Sequence, residues 1–135
     1  MAILSKADIL AAGPIIKTVT VEEWGGDVRL RALTARTRME LWDVRSANDA
    51  ARQAYEQDQH LEPAARQNLE PVPLLDDAYL QLIFSIVDED NNRIFDLSDI
   101  TAFDDLPYST LNYLFTEMIA LQTRSDPATL KKTSD

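Results

Sequence analysis

The chain has no cysteine and only one histidine, His60, among its 135 residues. These absences exclude disulfides, thiolate zinc sites, cysteine nucleophiles and histidine metal clusters. Glycine is also scarce, with three residues. The glycine-rich phosphate-binding motifs, the serine-hydrolase motif and the helical zinc-protease motif do not occur in the sequence. We therefore expect a protein that is not an enzyme and that uses no cofactor.

Long hydrophobic runs are missing as well. No apolar stretch approaches the roughly 20 residues that a membrane-spanning helix needs. Asp8 interrupts the apolar segment that a signal peptide would require at the start of the chain. We expect a cytoplasmic protein that has no membrane partner.

Positively charged residues are fewer than negatively charged ones. The 13 lysines and arginines are outnumbered by 23 acids, which gives a net charge of -10 and argues against nucleic acid as a partner. The acids are concentrated, since residues 88–105 hold seven of them against the single Arg93. A basic partner surface, self-association between unlike faces and a merely solvated surface are all compatible with this distribution.

The residues that are present predict one α+β domain, predominantly α-helical, with an N-terminal β-hairpin packed on a small helical bundle. Hydrophobic residues make up 45% of the chain, which is typical of a folded globular protein. We assign residues 1–124 to this domain and residues 125–135 to a mobile polar tail.

The spacing of the apolar residues predicts where the strands lie. Two alternating, β-branched runs on either side of "EEWGG" predict a hairpin over residues 15–33, with Gly25 and Gly26 supplying the positive φ angles of a tight turn. In the second strand, apolar residues alternate with Arg29 and Arg31, which we expect on a wet face of the hairpin.

Beyond Thr34 the apolar period changes from that of a strand to that of a helix. Helices are predicted over residues 34–57, 74–87, 98–105 and 109–122, and a short one capped by Ser5 precedes the hairpin. In the longest helix, Met39, Leu41 and Trp42 begin a stripe of apolar residues, and arginines occupy the other face. We expect the arginine face to be solvated.

The stretch "DEDNNRIFDLSD" at residues 88–99 is similar to a calcium-binding EF-hand loop. Five ligand positions are filled, by Asp88, Asp90, Asn92, Asp96 and Asp99. However, Arg93 occupies the position that needs glycine, and the last ligand is aspartate where the loop needs glutamate. A turn with an acidic rim, in which asparagine takes a positive φ and Asp96 caps the next helix, explains the same residues. A helical binding module with this degenerate loop is the alternative function.

Longer segments resemble a known protein family. "LSKADILAA", "VEEWGGDVRLRAL", "TARTRMELW", "IVDEDNNRIFDLSDITAF" and "STLNYLFTEMIALQ" look like successive segments of the tail assembly chaperones of long-tailed, siphovirus-type bacteriophages. The residues that match the family signature are Trp24, Gly25, Gly26, Ile94, Phe95, Ser98 and Asp99. Asn91 and Asn92 occupy the place where the family usually has glycine.

The resemblance implies a non-enzymatic chaperone of viral tail assembly. Such proteins bind the long, largely helical tape measure protein in the cytoplasm of the infected host cell, keep it soluble, and are absent from the mature virion. The major tail protein is a further candidate partner. Many copies on one tape measure protein would need self-contacts, so self-association into an oligomer is also an expectation.

The resemblance also suggests a programmed frameshift. In this family, ribosomes commonly slip back by one nucleotide near the end of the gene and make a longer product. Lys131 and Lys132 follow Leu130, and two lysine codons preceded by an A would provide a slip site. Two solubilising lysines in a polar tail are the plainer interpretation.

Overall fold

The computed structural model describes residues 2–123 of the chain. Its α-helices and strands are, in chain order, α1 (Lys6–Ala11), β1 (Ile16–Val21), β2 (Gly26–Arg31), α2 (Ala35–Gln59), α3 (Asp77–Ser85), β3 (Ile86–Val87) and α4 (Tyr108–Gln122). Short 3₁₀ helices occupy Glu22–Trp24, Pro63–Ala65 and Leu97–Asp105, the last of these where a helix over 98–105 is predicted. The predicted α+β class, with helix predominant, is confirmed.

Two predictions fall on residues that the structure does not describe. The polar tail at 125–135 and the candidate frameshift residues Lys131 and Lys132 lie outside the described residues, and the domain boundary at residue 124 stays a prediction. Within the described part of the chain, the helices are too short or too polar to cross a membrane.

The hairpin forms as the alternating pattern predicts. β1 and β2 pair antiparallel, from Ile16 opposite Arg31 to Val21 opposite Gly26. A 3₁₀ turn joins the two strands, and Gly25 adopts the left-handed conformation, with φ 69°. Gly26 already belongs to β2, so only one of the two glycines takes the positive φ predicted for both.

A third strand shortens the helix predicted over residues 74–87. α3 begins after Asp76, whose Oδ1 accepts a hydrogen bond from the amide of Tyr79 at 3.1 Å. Ile86 and Val87 then leave the helix and pair with β2 as β3, which completes a sheet in the order β1-β2-β3. The edge of β2 offers backbone hydrogen-bonding groups that need partners, and two β-branched residues suit that position.

The core lies between the sheet, α3 and α4. Its buried side chains are Val19, Val21, Leu30, Leu82, Ile83, Ile86, Phe103, Leu111, Leu114, Met118 and Leu121. α2 is attached through a smaller cluster, in which Leu41 packs with Leu80 and Phe84. The sheet, α3 and α4 therefore form the body of the protein, and α2 is fastened to it along one side.

α2 has nearly its predicted length, and the apolar residues of its stripe differ in burial. Thr34 caps the helix, since its hydroxyl oxygen accepts the amide of Thr37 at 3.1 Å. Of the apolar residues that begin the stripe, Leu41 is buried, whereas Met39 and Trp42 are each 60% exposed. Helical spacing thus identified the stripe but does not show whether an apolar residue finds a partner within its own chain.

Candidate binding groove

The acidic turn that follows β3 is held together by hydrogen bonds among its own residues. The amide of Asp88 donates to the carbonyl oxygen of Asn92 at 2.8 Å. Oδ1 of Asp88 accepts from the amides of Asp90 and Asn92, at 2.8 and 3.0 Å. Asn91 has a φ of 66°, in the left-handed region that asparagine tolerates better than most residues. The carboxylate of Asp88 is therefore engaged in shaping the turn.

The candidate calcium ligands are divided between two local structures. Asp88, Asp90 and Asn92 belong to the turn, whereas Asp96 and Asp99 begin the 3₁₀ helix. There the amide of Asp96 donates to Oδ2 of Asp99 at 2.8 Å, which agrees with the predicted helix start. Throughout residues 2–123, no group of three or more His, Cys, Asp or Glu side chains is placed to hold a metal ion. This geometry favours the acidic turn over the calcium loop.

The turn covers the arginine face of β2, which we predicted to be wet. Nε of Arg29 donates to Oδ1 of Asn91 at 2.9 Å, and Nη1 of Arg31 donates to the backbone oxygen of Asn91, also at 2.9 Å. Both arginines are consequently half-buried. The prediction was wrong because alternation along a strand does not show that a distant turn will pack on its polar face.

A groove of about 680 Å³ opens between the hairpin turn and the acidic turn. The buried side chains that line it are Ile86, Val87, Phe103, Leu111 and Leu114. Further apolar lining comes from Trp24, Val28, Ile94, Phe95 and Leu106. The acids along the groove are Asp27, Asp88, Glu89 and Asp90, all of them exposed. The groove is therefore an open apolar surface bordered by negative charge.

Three of the seven family-signature residues meet in this groove. Trp24 is 43% exposed and Ile94 is 55% exposed, and both line it. Phe95 packs edge-on against Phe103, with the ring centroids 5.2 Å apart. The other four signature residues shape the backbone nearby: Gly25 and Gly26 at the hairpin turn, and Ser98 and Asp99 at the first turn of the 3₁₀ helix.

Several residues that line the groove could not be predicted as site residues from the sequence. Asp27 and Leu106 line the groove only because the hairpin and the acidic segment fold against each other. Arg29 ties these two parts together through Asn91, and its guanidinium is the one positive group among the residues that line the groove. Contacts between residues so far apart in the chain cannot be read from local spacing.

The groove is suited to the apolar face of an amphipathic helix. Exposed Trp24 and Ile94 would lose contact with water when a partner covers them, and burial of such side chains is favourable at roughly 25 cal/mol per Å². The surrounding carboxylates would attract lysines or arginines that flank the apolar face of the partner. Fold and groove thus describe a small, mostly helical protein whose open apolar surface is suited to binding a partner.

The comparison with protein families agrees with this class. Residues 6–132 match the family described as "Phage tail assembly chaperone". Because the match spans nearly the whole chain, the protein belongs to this family, and the family resemblance predicted from the sequence is confirmed. Among curated proteins, none matches the chain.

Among solved structures, the chain is similar to one described as "Structure of bacteriophage HK97 tail assembly chaperone". The two chains are 17% identical, and the superposition covers 82% of this chain and 83% of that chain, with a TM-score of 0.48. The family membership rests on the sequence match alone.

Proposed function

We propose that this protein binds amphipathic helical segments of a phage tape measure protein and keeps them soluble while the tail assembles, without catalysing a reaction. The observation that carries the proposal is the groove, in which exposed Trp24 and Ile94 lie among acids. Membership in the phage tail assembly chaperone family supports the choice of a tail protein as the partner.

The size of the groove limits how much of a partner it can cover. A volume of about 680 Å³ lies in the range of roughly 300–1,000 Å³ that is typical of ligand pockets. Such a space receives a few large side chains from one face of a helix, at helical spacing, rather than a whole helix. A long helical partner would therefore bind several copies of this protein, each on a short segment.

Charge supports a partner with basic residues beside its apolar face. The chain has a net charge of -10, and Asp27, Glu89 and Asp90 bring part of that charge to the groove. These acids favour segments that carry lysine or arginine and repel acidic ones, including the protein's own acidic surfaces. The same net charge keeps the complex soluble after the apolar face of the partner is covered.

The remaining parts of the proposal follow from the family. The protein acts in the cytoplasm of the infected host cell and is absent from the mature virion, and the major tail protein is a second candidate partner. A frameshift at Lys131 and Lys132 gives a longer form in part of the product. The gene sequence tests this last point, since a codon for Leu130 that does not end in A removes the slip site.

Co-expression with the tape measure protein of the same phage tests the main proposal. We expect the tape measure protein to be mostly insoluble alone and mostly soluble with this protein. Ile94→Asp places a charge in the apolar groove at a residue that is 55% exposed, so the variant folds but protects its partner poorly.

Leu74→Asp is the matched control for this experiment. It makes the same chemical change at a leucine that is 71% exposed and does not line the groove, so it should protect as well as the unmodified protein does. A tape measure protein that stays as insoluble in the presence of this protein as without it would contradict the proposed function. Equal protection by both variants would agree with the proposed function but show that the tape measure protein does not bind in the groove.

A further inference from the structure

A second cavity, about 460 Å³ in volume, lies beside the last turn of α4. Its lining comes from both ends of the hairpin, from α2 and α3, and from the end of α4. The groove contacts α4 through Leu111 and Leu114, whereas this cavity contacts it through Leu121 and Gln122. At a rise of roughly 1.5 Å per residue, Leu114 and Gln122 are about 12 Å apart along the helix, so the two sites are separate.

The lining of the second cavity is divided between apolar and polar side chains. The aliphatic side chains that line it are Ile15, Ala32, Leu33, Leu41 and Leu121. The polar side chains that line it are Arg38, Arg45, Gln81, Gln122 and Thr123. Although the chain has a net charge of -10, none of the described residues that line this cavity is acidic. A ligand with an apolar part and a negatively charged part therefore matches both halves of the lining.

The charges at the second cavity indicate a ligand with a single negative charge. Arg45 pairs with Asp77, which also accepts a hydrogen bond from Nε2 of Gln81 at 2.6 Å. Arg38 is exposed, and in the described part of the chain it takes part in no ion pair. One guanidinium at the cavity is thus balanced by an acid and the other is not. A single carboxylate neutralises Arg38, whereas a doubly charged phosphate group leaves one negative charge without a partner.

The C-terminal end of α4 does not use up the donors of these arginines. Carbonyl oxygens at such an end carry partial negative charge and commonly attract arginine side chains. Among residues 2–123, however, the arginine side chains that donate to backbone oxygens bind Gln59, Leu61 and Asn91, and none of these lies in α4. Arg38 and Arg45 therefore keep donors for a ligand.

Two buried donors beside the second cavity lack an acceptor. Nε of Arg45 and Nε2 of Gln122 find no hydrogen-bond partner within residues 2–123. Unpaired buried donors cost free energy, so a small rotation of either side chain toward an acceptor in the cavity is favourable. A carboxylate offers two acceptor oxygens in one plane, which suits guanidinium and amide groups.

From this combination of charge, donors and apolar lining we propose that the second cavity binds a carboxylate joined to a short aliphatic group, with Arg38 as its main charge partner. In a protein, such a group is the side chain of a glutamate or the C-terminus of a chain that ends in an apolar residue. The aliphatic part packs against Leu33 and Leu41, and Gln122 donates to the carboxylate. The groove attracts basic segments and this cavity binds an acidic group, so a partner with both charges can contact both sites.

NMR titration of the full chain with small probes at neutral pH tests this site. N-acetyl-leucine carries a terminal carboxylate and N-acetyl-glutamate α-amide carries a side-chain carboxylate, so the two probes distinguish the two sources of the group. We expect saturable binding of at least one probe, with a dissociation constant on the order of millimolar for so small a ligand. The side-chain amide signals of Gln81 and Gln122 should shift, whereas the indole N–H signal of Trp24 in the groove should not.

Matched arginine variants separate a specific site from general attraction to positive charge. Arg38→Gln removes the charge at an exposed position and should weaken binding of the probe about tenfold or more, because a charge-assisted hydrogen bond is lost. Arg36→Gln makes the same change at another exposed arginine of α2 that does not line the cavity. This control should bind the probe as the unmodified protein does.

Uncharged and inorganic probes test the two halves of the lining separately. N-acetyl-leucine amide lacks the negative charge, and inorganic phosphate lacks the aliphatic group, so each should bind much more weakly than the carboxylate probes. Failure of both carboxylates to bind at tens of millimolar, or unchanged binding by Arg38→Gln, would overturn the proposal. Equal binding of the uncharged amide or of phosphate would overturn it as well.

Discussion

Arg29 of the hairpin donates a hydrogen bond from Nε to Oδ1 of Asn91, 2.9 Å away and 62 residues later in the chain. Arg31 binds the backbone oxygen of the same asparagine at 2.9 Å. These two bonds fix the acidic turn, shortly before Ile94, against β2, shortly after Trp24, and both Trp24 and Ile94 line the groove. Asn91 is thus a structural link between the halves of the candidate site.

Substitution of Asn91 tests this link. Asn91→Ala puts a side chain that disfavours the left-handed region at φ 66°, which costs roughly 1–2 kcal/mol, and also removes the bond from Arg29, worth about 1 kcal/mol. Asn91→Gly removes the same bond without the backbone strain. Urea unfolding should therefore find the alanine variant less stable than the glycine variant. Equal stabilities, or the reverse order, would show that the backbone conformation of Asn91 does not matter.

The sequence predicted those parts of the fold that depend on local spacing and capping. The hairpin, the length of α2 and the helix start at Asp96 follow from apolar period, a cap at Thr34 and short polar side chains at helix ends. β3 could not be predicted in this way. In the sequence, Val87 continues the helical spacing of α3, and it leaves the helix only because it pairs with the edge of β2 in the folded protein.

The candidate site was predictable only in part. Trp24, Ile94 and Phe95 came from the family resemblance, but nothing in their spacing indicates that the hairpin turn and the acidic turn form one groove. The exposure of Met39 and Trp42 could likewise not be predicted from the sequence, because an apolar stripe on a helix has the same spacing whether its partner is in the same chain or in another.

Calcium should leave the protein unchanged. The carboxylate of Asp88 already accepts two backbone amides, and the guanidinium of Arg93 lies over the ring of Phe84, 4.6 Å from its centroid. A ligand present at 100 times its dissociation constant would add about 2.7 kcal/mol to the stability of the folded state. Thermal unfolding with calcium at millimolar concentration, and with magnesium as the control, should therefore give the same midpoint. A shift of several degrees that Asp88→Ala abolishes would show that the loop does bind calcium.

Asp58 should anchor the loop that connects α2 to α3 through hydrogen bonds to its backbone. This buried residue accepts the amides of Gln67 and Leu69 through its two carboxylate oxygens, at 2.7 and 3.1 Å. Asp58→Ala removes the charged acceptor of both hydrogen bonds, at a cost of about 1–3 kcal/mol. Hydrogen exchange at these two amides should accelerate strongly, and exchange in α4 should change much less. Glu56→Ala, an exposed position on the same helix, is the control and should leave both rates as they are.

The central claim is that a tape measure segment binds in the groove, and the fluorescence of Trp24 reports on it directly. The chain has two tryptophans, so Trp42→Phe leaves Trp24, which is 43% exposed and lines the groove, as the sole tryptophan, and excitation that selects tryptophan over tyrosine reports on it alone. When a purified helical segment of the tape measure protein is added, we predict a saturable shift of the emission to shorter wavelength, as Trp24 loses contact with water. The shift should disappear in a second variant that also carries Ile94→Asp. A segment that binds with unchanged affinity to both variants and leaves the emission of Trp24 where it was would contradict the claim.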